Sequence, residues 1–344
     1  MQNSRILTIL ALALLALAGT ASAAAPTTAE KLAGTAAFSG GLVVYLGIDD
    51  AASLAAWPKA GPFLVHGLDN DAARVDAVRQ ELQSSGDYGP VTVEHFDGTT
   101  LPYIDNLVNV IVVVDQQDVP TSEIMRVLTP GGAKVKHVFD PRSSLTPLTI
   151  KPQQLEGADE WTHFLHGPDN NAVAHDDLVG PPQRIQWVGA PQYARHHNYL
   201  SSTSAMVSAQ GRVFAIVDEG PTSSILFPAQ WHLVARDAYN GLHLWKRPIS
   251  AWEPQLRTFR SGPPEIARRL VAIENRVYVT LGYGEPVTAL DAATGEVVHT
   301  YAETAGTEEI LVDNGVLYVV TSDFYVENQP DAGLTPEAAE RRGG

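Results

Sequence analysis

One strand pattern is written three times in the second half of the chain: Gly211-Arg212-Val213-Phe214-Ala215-Ile216, Asn275-Arg276-Val277-Tyr278-Val279-Thr280 and Gly315-Val316-Leu317-Tyr318-Val319-Val320. A short β unit of this kind cannot bury its apolar face alone, so the copies must stack on one another. Between them lies a second repeated unit. Ala235-Arg236-Asp237-Ala238-Tyr239-Asn240-Gly241-Leu242-His243-Leu244-Trp245 aligns with Ala289-Leu290-Asp291-Ala292-Ala293-Thr294-Gly295-Glu296-Val297-Val298-His299. The aspartate carboxylate accepts hydrogen bonds from turn amides, and the glycine takes the positive φ that closes the turn before the next strand. The interval from Val277 to Leu317 is of blade length. That from Val213 to Val277 is longer and carries an insertion near Pro221 to Gln230 or Ala251 to Pro264. Residues 203–330 therefore read as two to three blades of a β-propeller, followed by a polar, disordered tail over 331–344. Closed rings have roughly four to eight blades, so the propeller is incomplete, and missing blades or another chain must complete it.

The first half has a different grammar. Leu42 to Leu46 is a continuous apolar run ending at Gly47, the pattern of a parallel strand buried on both faces. Phe63 to Asp69 repeats it with a carboxylate at its end, and Asp71 to Leu82 follows at helical spacing. Further strands are expected at Val91 to Phe96, at the β-branched run Val108 to Val114, and at Ala133 to Val138. A helix over Thr121 to Leu128 should stop at Pro130-Gly131-Gly132. Alternating strands and helices of this order specify a doubly wound α/β domain over residues 37–140.

Two resemblances follow from these residues. Leu101-Pro102-Tyr103-Ile104-Asp105-Asn106, the valine-rich strand, and Glu123-Ile124-Met125-Arg126-Val127-Leu128-Thr129-Pro130-Gly131-Gly132 together resemble class I S-adenosylmethionine-dependent methyltransferases, whose domain is Rossmann-like. The resemblance implies Gly47 beside the methionine part of the cofactor, Asp69 on the ribose hydroxyls and Asp97 at the adenine. The loop Tyr45-Leu46-Gly47-Ile48-Asp49-Asp50-Ala51 departs from the family, keeping one glycine where three stand at alternate places. Asp49 obstructs close backbone approach and adds negative charge beside the methionine carboxylate, so the expectation is a retained fold without methyl transfer.

The Asp-Ala-x-x-Gly-x-x-x-Trp unit resembles the repeats of pyrroloquinoline-quinone (PQQ) propellers, a family spanning quinoprotein alcohol dehydrogenases and the propeller of the outer-membrane assembly machinery. The whole arrangement is similar to PQQ-binding-like β-propeller repeat proteins. In the dehydrogenases the quinone lies in the central channel between a tryptophan and a vicinal disulfide, beside calcium and a catalytic aspartate. The chain has no cysteine, so that disulfide is absent, and no residue is assigned to the quinone, calcium or base positions. Trp245 is expected to pack between blades.

Residues 1–23 carry Arg5, an apolar run from Ile6 to Ala18 and the small residues Ala21-Ser22-Ala23, the pattern of a cleaved secretory signal. Its removal takes away only Arg5 and moves the net charge from -16 to -17, with 39 acidic residues remaining. Such a surface repels nucleic acid and anionic lipid, and no later segment has membrane-spanning length. The connector, residues 141–202, holds Trp161-Thr162-His163-Phe164-Leu165-His166-Gly167, then His175 and the pair His196-His197. His163 and His166 lie three apart, a spacing that places two imidazoles on one side of a helical turn, and His175 or Asp169 would complete a metal site. The alternative is that these side chains pin a long irregular segment to the propeller. The leading functional expectation is an exported, periplasmic or extracellular scaffold that binds a protein or small molecule. The enzymatic alternatives are methyl transfer with S-adenosylmethionine and PQQ-dependent oxidation of alcohols or sugars.

Overall fold

In the structure, a computed structural model, the described residues are 29, 39–96, 98–115, 118–136, 147–152, 155–181, 185–193, 202–223, 227–250 and 264–322. The signal segment, Asp97, His196, His197 and the tail over 331–344 lie outside them.

The α/β domain is built on a six-stranded sheet in the order β3-β2-β1-β4-β5-β6. Strands β1 (Gly41–Leu46), β2 (Phe63–Asp69), β3 (Val91–His95), β4 (Val108–Val113) and β5 (Leu128–Lys136) run parallel, and β6 (Pro147–Ile150) closes the edge antiparallel. Val43, Val44 and Tyr45 are fully buried because both faces of the sheet are covered. Helices α1 (Ala51–Ala60) and α2 (Ala72–Ser85) cover one face through Leu54, Trp57, Val75 and Leu82. Helix α3 (Thr121–Val127) covers the other through Ile124 and Val127, against Val44, Leu46 and Ile111. This is the expected Rossmann-like, doubly wound arrangement.

Local chemistry sets the helix ends. The Asp50 carboxylate accepts from Ser53 N at 2.7 Å and starts α1, while Asp71 accepts from Ala73 N and Arg74 N and starts α2. Gly86, in the left-handed region at φ 79°, ends α2. The expected end of α3 is corrected: the helix stops at Val127, and Leu128 already enters β5, so Pro130-Gly131-Gly132 lies within an irregular stretch of strand. The sheet also reaches into the expected connector, because β6 pairs with the edge of β5 that would otherwise leave its backbone groups open.

The second half forms separate antiparallel sheets. Strands β7 (Thr203–Ala209), β8 (Arg212–Asp218), β9 (Trp231–Asp237) and β10 (His243–Pro248) make the first blade. The short helix α4 (Pro264–Ala267) precedes β11 (Leu270–Ile273), β12 (Arg276–Thr280), β13 (Val287–Asp291) and β14 (Val297–Thr300), which make the second. Strands β15 (Thr307–Asp313) and β16 (Val316–Thr321) begin a third. The three repeated patterns are thus β8, β12 and β16, the second strand of each blade. The turns between β9 and β10 and between β13 and β14 share one geometry. Asp237 Oδ1 accepts from Tyr239 N and Asn240 N, and Asp291 Oδ1 accepts from Ala293 N and Thr294 N. Gly241 and Gly295 both sit at φ 72°. Among the described residues no helix is long and apolar enough to cross a membrane.

Candidate functional site

At the carboxyl end of β1 and β2, Gly47 sits at φ 77°, and a Cβ there would lie 2.8 Å from Asp115 N. Its position therefore demands glycine for backbone reasons alone. Asp69 is 1% exposed, and its two carboxylate oxygens are used within the fold. Oδ2 accepts from Ile48 N at 2.7 Å and from Arg74 Nη1 at 3.3 Å, while Oδ1 accepts from Asp71 N at 2.8 Å. The β1–α1 loop is thereby folded down onto the carboxylate. A ribose would have to displace Ile48 N–H and reach a group removed from water, so the site as built does not fit S-adenosylmethionine.

The motif segments of this domain hold one another. Arg126 on α3 bonds Glu123, Asp105 Oδ1 at 2.7 Å and the Leu101 carbonyl, and Glu123 in turn accepts from Leu101 N at 2.7 Å. Lys151 Nζ donates to the carbonyls of Met125 and Leu128 and to Asn106 Oδ1, closing the end of α3.

The connector histidines have a different geometry from the helical turn expected of them. His163 and His166 face each other across a tight turn, with His163 N donating to the His166 carbonyl at 3.1 Å and His166 at φ 72°. Three consecutive residues of this turn reach three consecutive blades. The Trp161 carbonyl accepts from Ser208 N on β7 (2.7 Å), the Thr162 carbonyl from Ala272 N on β11 (3.0 Å), and His163 Nε2 from Val312 N on β15 (3.1 Å). Because Nε2 accepts, Nδ1 carries the proton and donates to Thr162 Oγ1 at 2.8 Å, whose own hydrogen goes to the His166 carbonyl. Burial holds the 1%-exposed His163 imidazole neutral, pushing its pKa down from 6.5 to about 4 against the opposing charges of Asp313 and Asp169. His166 Nε2 and His175 N both bond Asp159 Oδ2, at 2.7 and 2.6 Å. Among the described residues no group of three His, Asp or Glu is arranged to hold a metal ion. The inner strands β7, β11 and β15 lie side by side, and the 161–163 segment binds across all three.

The two halves meet through Asn109, the second residue of β4. Its Oδ1 accepts from Leu42 N and from Asn240 Nδ2, and its Nδ2 donates to Asp237 Oδ2, each at 2.7 Å. Asn240 Nδ2 also reaches the Leu107 carbonyl at 3.2 Å. The α/β domain is thus seated on the Asp237–Gly241 turn of the first blade. Burial raises the Asp237 carboxyl despite these bonds, and burial lowers the neighbouring Arg212 guanidinium. An open polar crevice of about 250 Å³ lies along this seam, lined by Asn109, Gly132, Gln210, Arg212, Asp237 and Tyr239. Sequence reasoning singled out none of these as site residues. An asparagine inside an apolar strand was their one signal.

Tryptophans join the blades. Trp245 on β10 donates Nε1–H to the Ala292 carbonyl at 3.0 Å, and its ring lies so close over Gly295 that a Cβ there would stand 2.6 Å from Cδ2 and Cε3. Its packing role is as expected. Trp187, in the connector, repeats this contact one blade earlier: Nε1–H donates to the Ala238 carbonyl at 2.9 Å, and a Gly241 Cβ would stand 2.4 Å from the same two ring atoms.

Fold and contacts define the class: a Rossmann-like α/β domain seated on antiparallel, four-stranded, propeller-like blades. Residues 231–329 match the family model described as outer membrane protein assembly factor BamB, less than half of the chain. Solved structures similar to the chain include a putative S-adenosyl-L-methionine-dependent methyltransferase from Methanococcus maripaludis, at 21% identity and TM-score 0.26, covering 28% of this chain and 47% of that one. Another is geranyl diphosphate C-methyltransferase from Streptomyces coelicolor, at 19% identity and TM-score 0.26, covering 28% and 38%. The chain spans less than half the length of either. No curated protein matches the chain.

Proposed function

We propose that this chain is an exported PQQ-like propeller repeat protein whose blades present a binding surface to an extracytoplasmic protein or small molecule, with the α/β domain a vestigial methyltransferase fold that supports them. The observation that carries this reading is the Asp69 carboxylate, which is buried and engaged by Ile48 N and Asp71 N. A group engaged in holding its own loop is a structural part, and fold alone does not confer the activity. Two further features support a supporting role: the domain is fastened to the first blade through Asn109, and the 161–163 segment ties three blades into one body. The net charge of -16 and the secretory pattern at residues 1–23 support an extracytoplasmic protein without nucleic-acid partners.

The test has two parts. The protein is isolated from its source by fractionation and its first residue is read by N-terminal sequencing; the proposal expects an extracytoplasmic protein beginning at Ala24. The same material is given methyl-labelled S-adenosylmethionine with candidate acceptors, and separately PQQ, calcium and a redox dye with alcohols and sugars. Turnover in neither assay is expected. Label transfer would replace the scaffold reading with methyl transfer, and dye reduction would replace it with quinone-dependent oxidation.

A further inference from the structure

The crevice along the seam of the α/β domain and blade one is walled by polar groups that the fold itself does not consume. It opens beside Ser39 and Gly40, just before β1, and beside Asn109 near the start of β4, so it lies at the end of the parallel sheet opposite Gly47 and Asp69. One wall comes from blade one. Arg212, the first residue of β8, and Asp237, the last of β9, are cross-strand partners, and both are buried. Gln210, at φ 50° in the β7–β8 turn, and Tyr239, in the β9–β10 turn, flank them. These two residues bond the fold through their backbone: Gln210 N donates to Glu160 Oε1, and Tyr239 N to Asp237 Oδ1. Among the described residues the Gln210 side-chain amide and the Tyr239 hydroxyl have no hydrogen-bond partner. The facing wall is the irregular 129–132 stretch of β5, which has no side chain at Gly131 or Gly132. A Cβ at Gly132 would stand 2.8 Å from the Thr129 carbonyl oxygen, so this wall must remain bare backbone.

Charge and hydrogen-bonding capacity select what such a space can hold. The Arg212 guanidinium stands among carboxylates: Asp237 and Asp291 act on it, and Asp237 and Glu160 act on Tyr239. An anion would meet this excess of negative charge, added to the net charge of -16. A cation would meet the guanidinium, and carboxylates already engaged by N–H donors: Asp237 by Asn109, Tyr239 and Asn240, Asp291 by Ala293 and Thr294, Glu160 by Gln210. A neutral ligand that both donates and accepts meets neither obstacle. Its hydroxyls can donate to the lone pair that Asp237 Oδ2 keeps beside Asn109 Nδ2, and can pair with Arg212, Gln210 and Tyr239. Leu244 offers its ring carbons an apolar contact. The volume, about 250 Å³, is below the roughly 300–1,000 Å³ of sites for drug-sized molecules, so one ring fills it. We propose that this crevice is a binding site for a neutral polyhydroxyl ligand, a monosaccharide or the terminal sugar of a glycan, held between β5 and the turns of blade one. The site deepens the scaffold reading by giving it a small-molecule ligand, and it rests on that reading for the ligand being bound without turnover.

Glucose, galactose, mannose and N-acetylglucosamine, with the charged glucuronate and glucosamine beside them, are titrated into the full chain and followed by saturation-transfer NMR and calorimetry. Saturable one-to-one binding of at least one neutral sugar is expected, in the sub-millimolar to millimolar range, with the two charged sugars bound at least about tenfold more weakly. Tyr239→Phe and Gln210→Ala remove a hydroxyl and an amide that bond nothing in the fold. Each should weaken the sugar about three- to tenfold while leaving the urea unfolding midpoint where it was. No saturable binding of any of the four neutral sugars overturns the proposal. So does an affinity unchanged in both variants, which would place the sugar elsewhere, or tighter binding of a charged sugar. Failure here leaves the scaffold reading standing, because that reading falls only to methyl transfer or dye reduction, and neither of those outcomes would alter a measured sugar affinity.

Discussion

Lowering the pH from 7 to 4 should detach the third blade from the connector, because His163 must be neutral to accept from Val312 N–H. The native imidazole titrates at about 4 and the unfolded one at 6.5, so between those values the unfolded chain binds the extra proton. The contribution is complete above pH 6.5 and is lost progressively as the pH falls towards 4. At ~1.4 kcal/mol per pH unit the loss reaches about 3 kcal/mol, a sizeable share of the stability of an ordinary domain. The charges facing the ring are Asp313, Asp169 and His166, and the two carboxylates oppose the shift without reversing it. His163→Gln keeps an acceptor for Val312 N–H without a titrating group. Urea unfolding of both proteins is measured from pH 7 to 4, and the stability of the parent minus that of the variant should fall by about 3 kcal/mol across the window. Subtraction removes the partly buried histidines His66 and His243, whose pKa values desolvation also lowers. A difference that does not change with pH would refute the neutral, accepting His163.

Further outcomes follow from single contacts. Gly295→Ala and Gly315→Ala both force a side chain into the left-handed region, at φ 72° and 76°, but only the first meets an obstacle, the Trp245 ring at 2.6 Å. Gly315→Ala should cost about 1 kcal/mol and Gly295→Ala at least about twice that, with a shift of tryptophan fluorescence seen in the latter alone; equal costs would remove the inter-blade contact. Asn109→Ala breaks the side-chain bonds that seat the α/β domain on blade one, one of them to the buried Asp237 carboxyl, and should cost about 2–4 kcal/mol. Calorimetry should then resolve two transitions where the parent gives one, and a single unshifted transition would show that the domains are held elsewhere.

The parts of this architecture that were legible in the sequence are those where a residue type has one use. The run Val108 to Val113 could only be a buried strand, and the Asp-Ala-x-x-Gly turn with its trailing tryptophan announced both the hairpin and the packing of Trp245. Helix α1 was hidden because its alanines give almost no apolar periodicity, although Asp50 is a good N-cap. The spacing of His163 and His166 suits a helical turn and a tight hairpin equally, and the positive φ at His166 that decides between them is not written in the residue type. Trp187 belongs to no repeated unit in its own stretch, so its kinship with Trp245 appears only when both rings are seen over their glycines. Asn109 reads as a polar residue in a strand until Asp237, far along the chain, is placed beside it.

The central claim is that the head of the α/β sheet is closed upon itself, with Asp69 serving the β1–α1 loop. Isothermal titration of the native protein with S-adenosylmethionine and its demethylated product addresses that claim most directly. The account predicts no saturable heat up to millimolar ligand. A one-to-one isotherm with micromolar affinity would contradict it, because it would require the Ile48–Asp69 contact to open and Asp69 to serve a ligand instead of its own backbone.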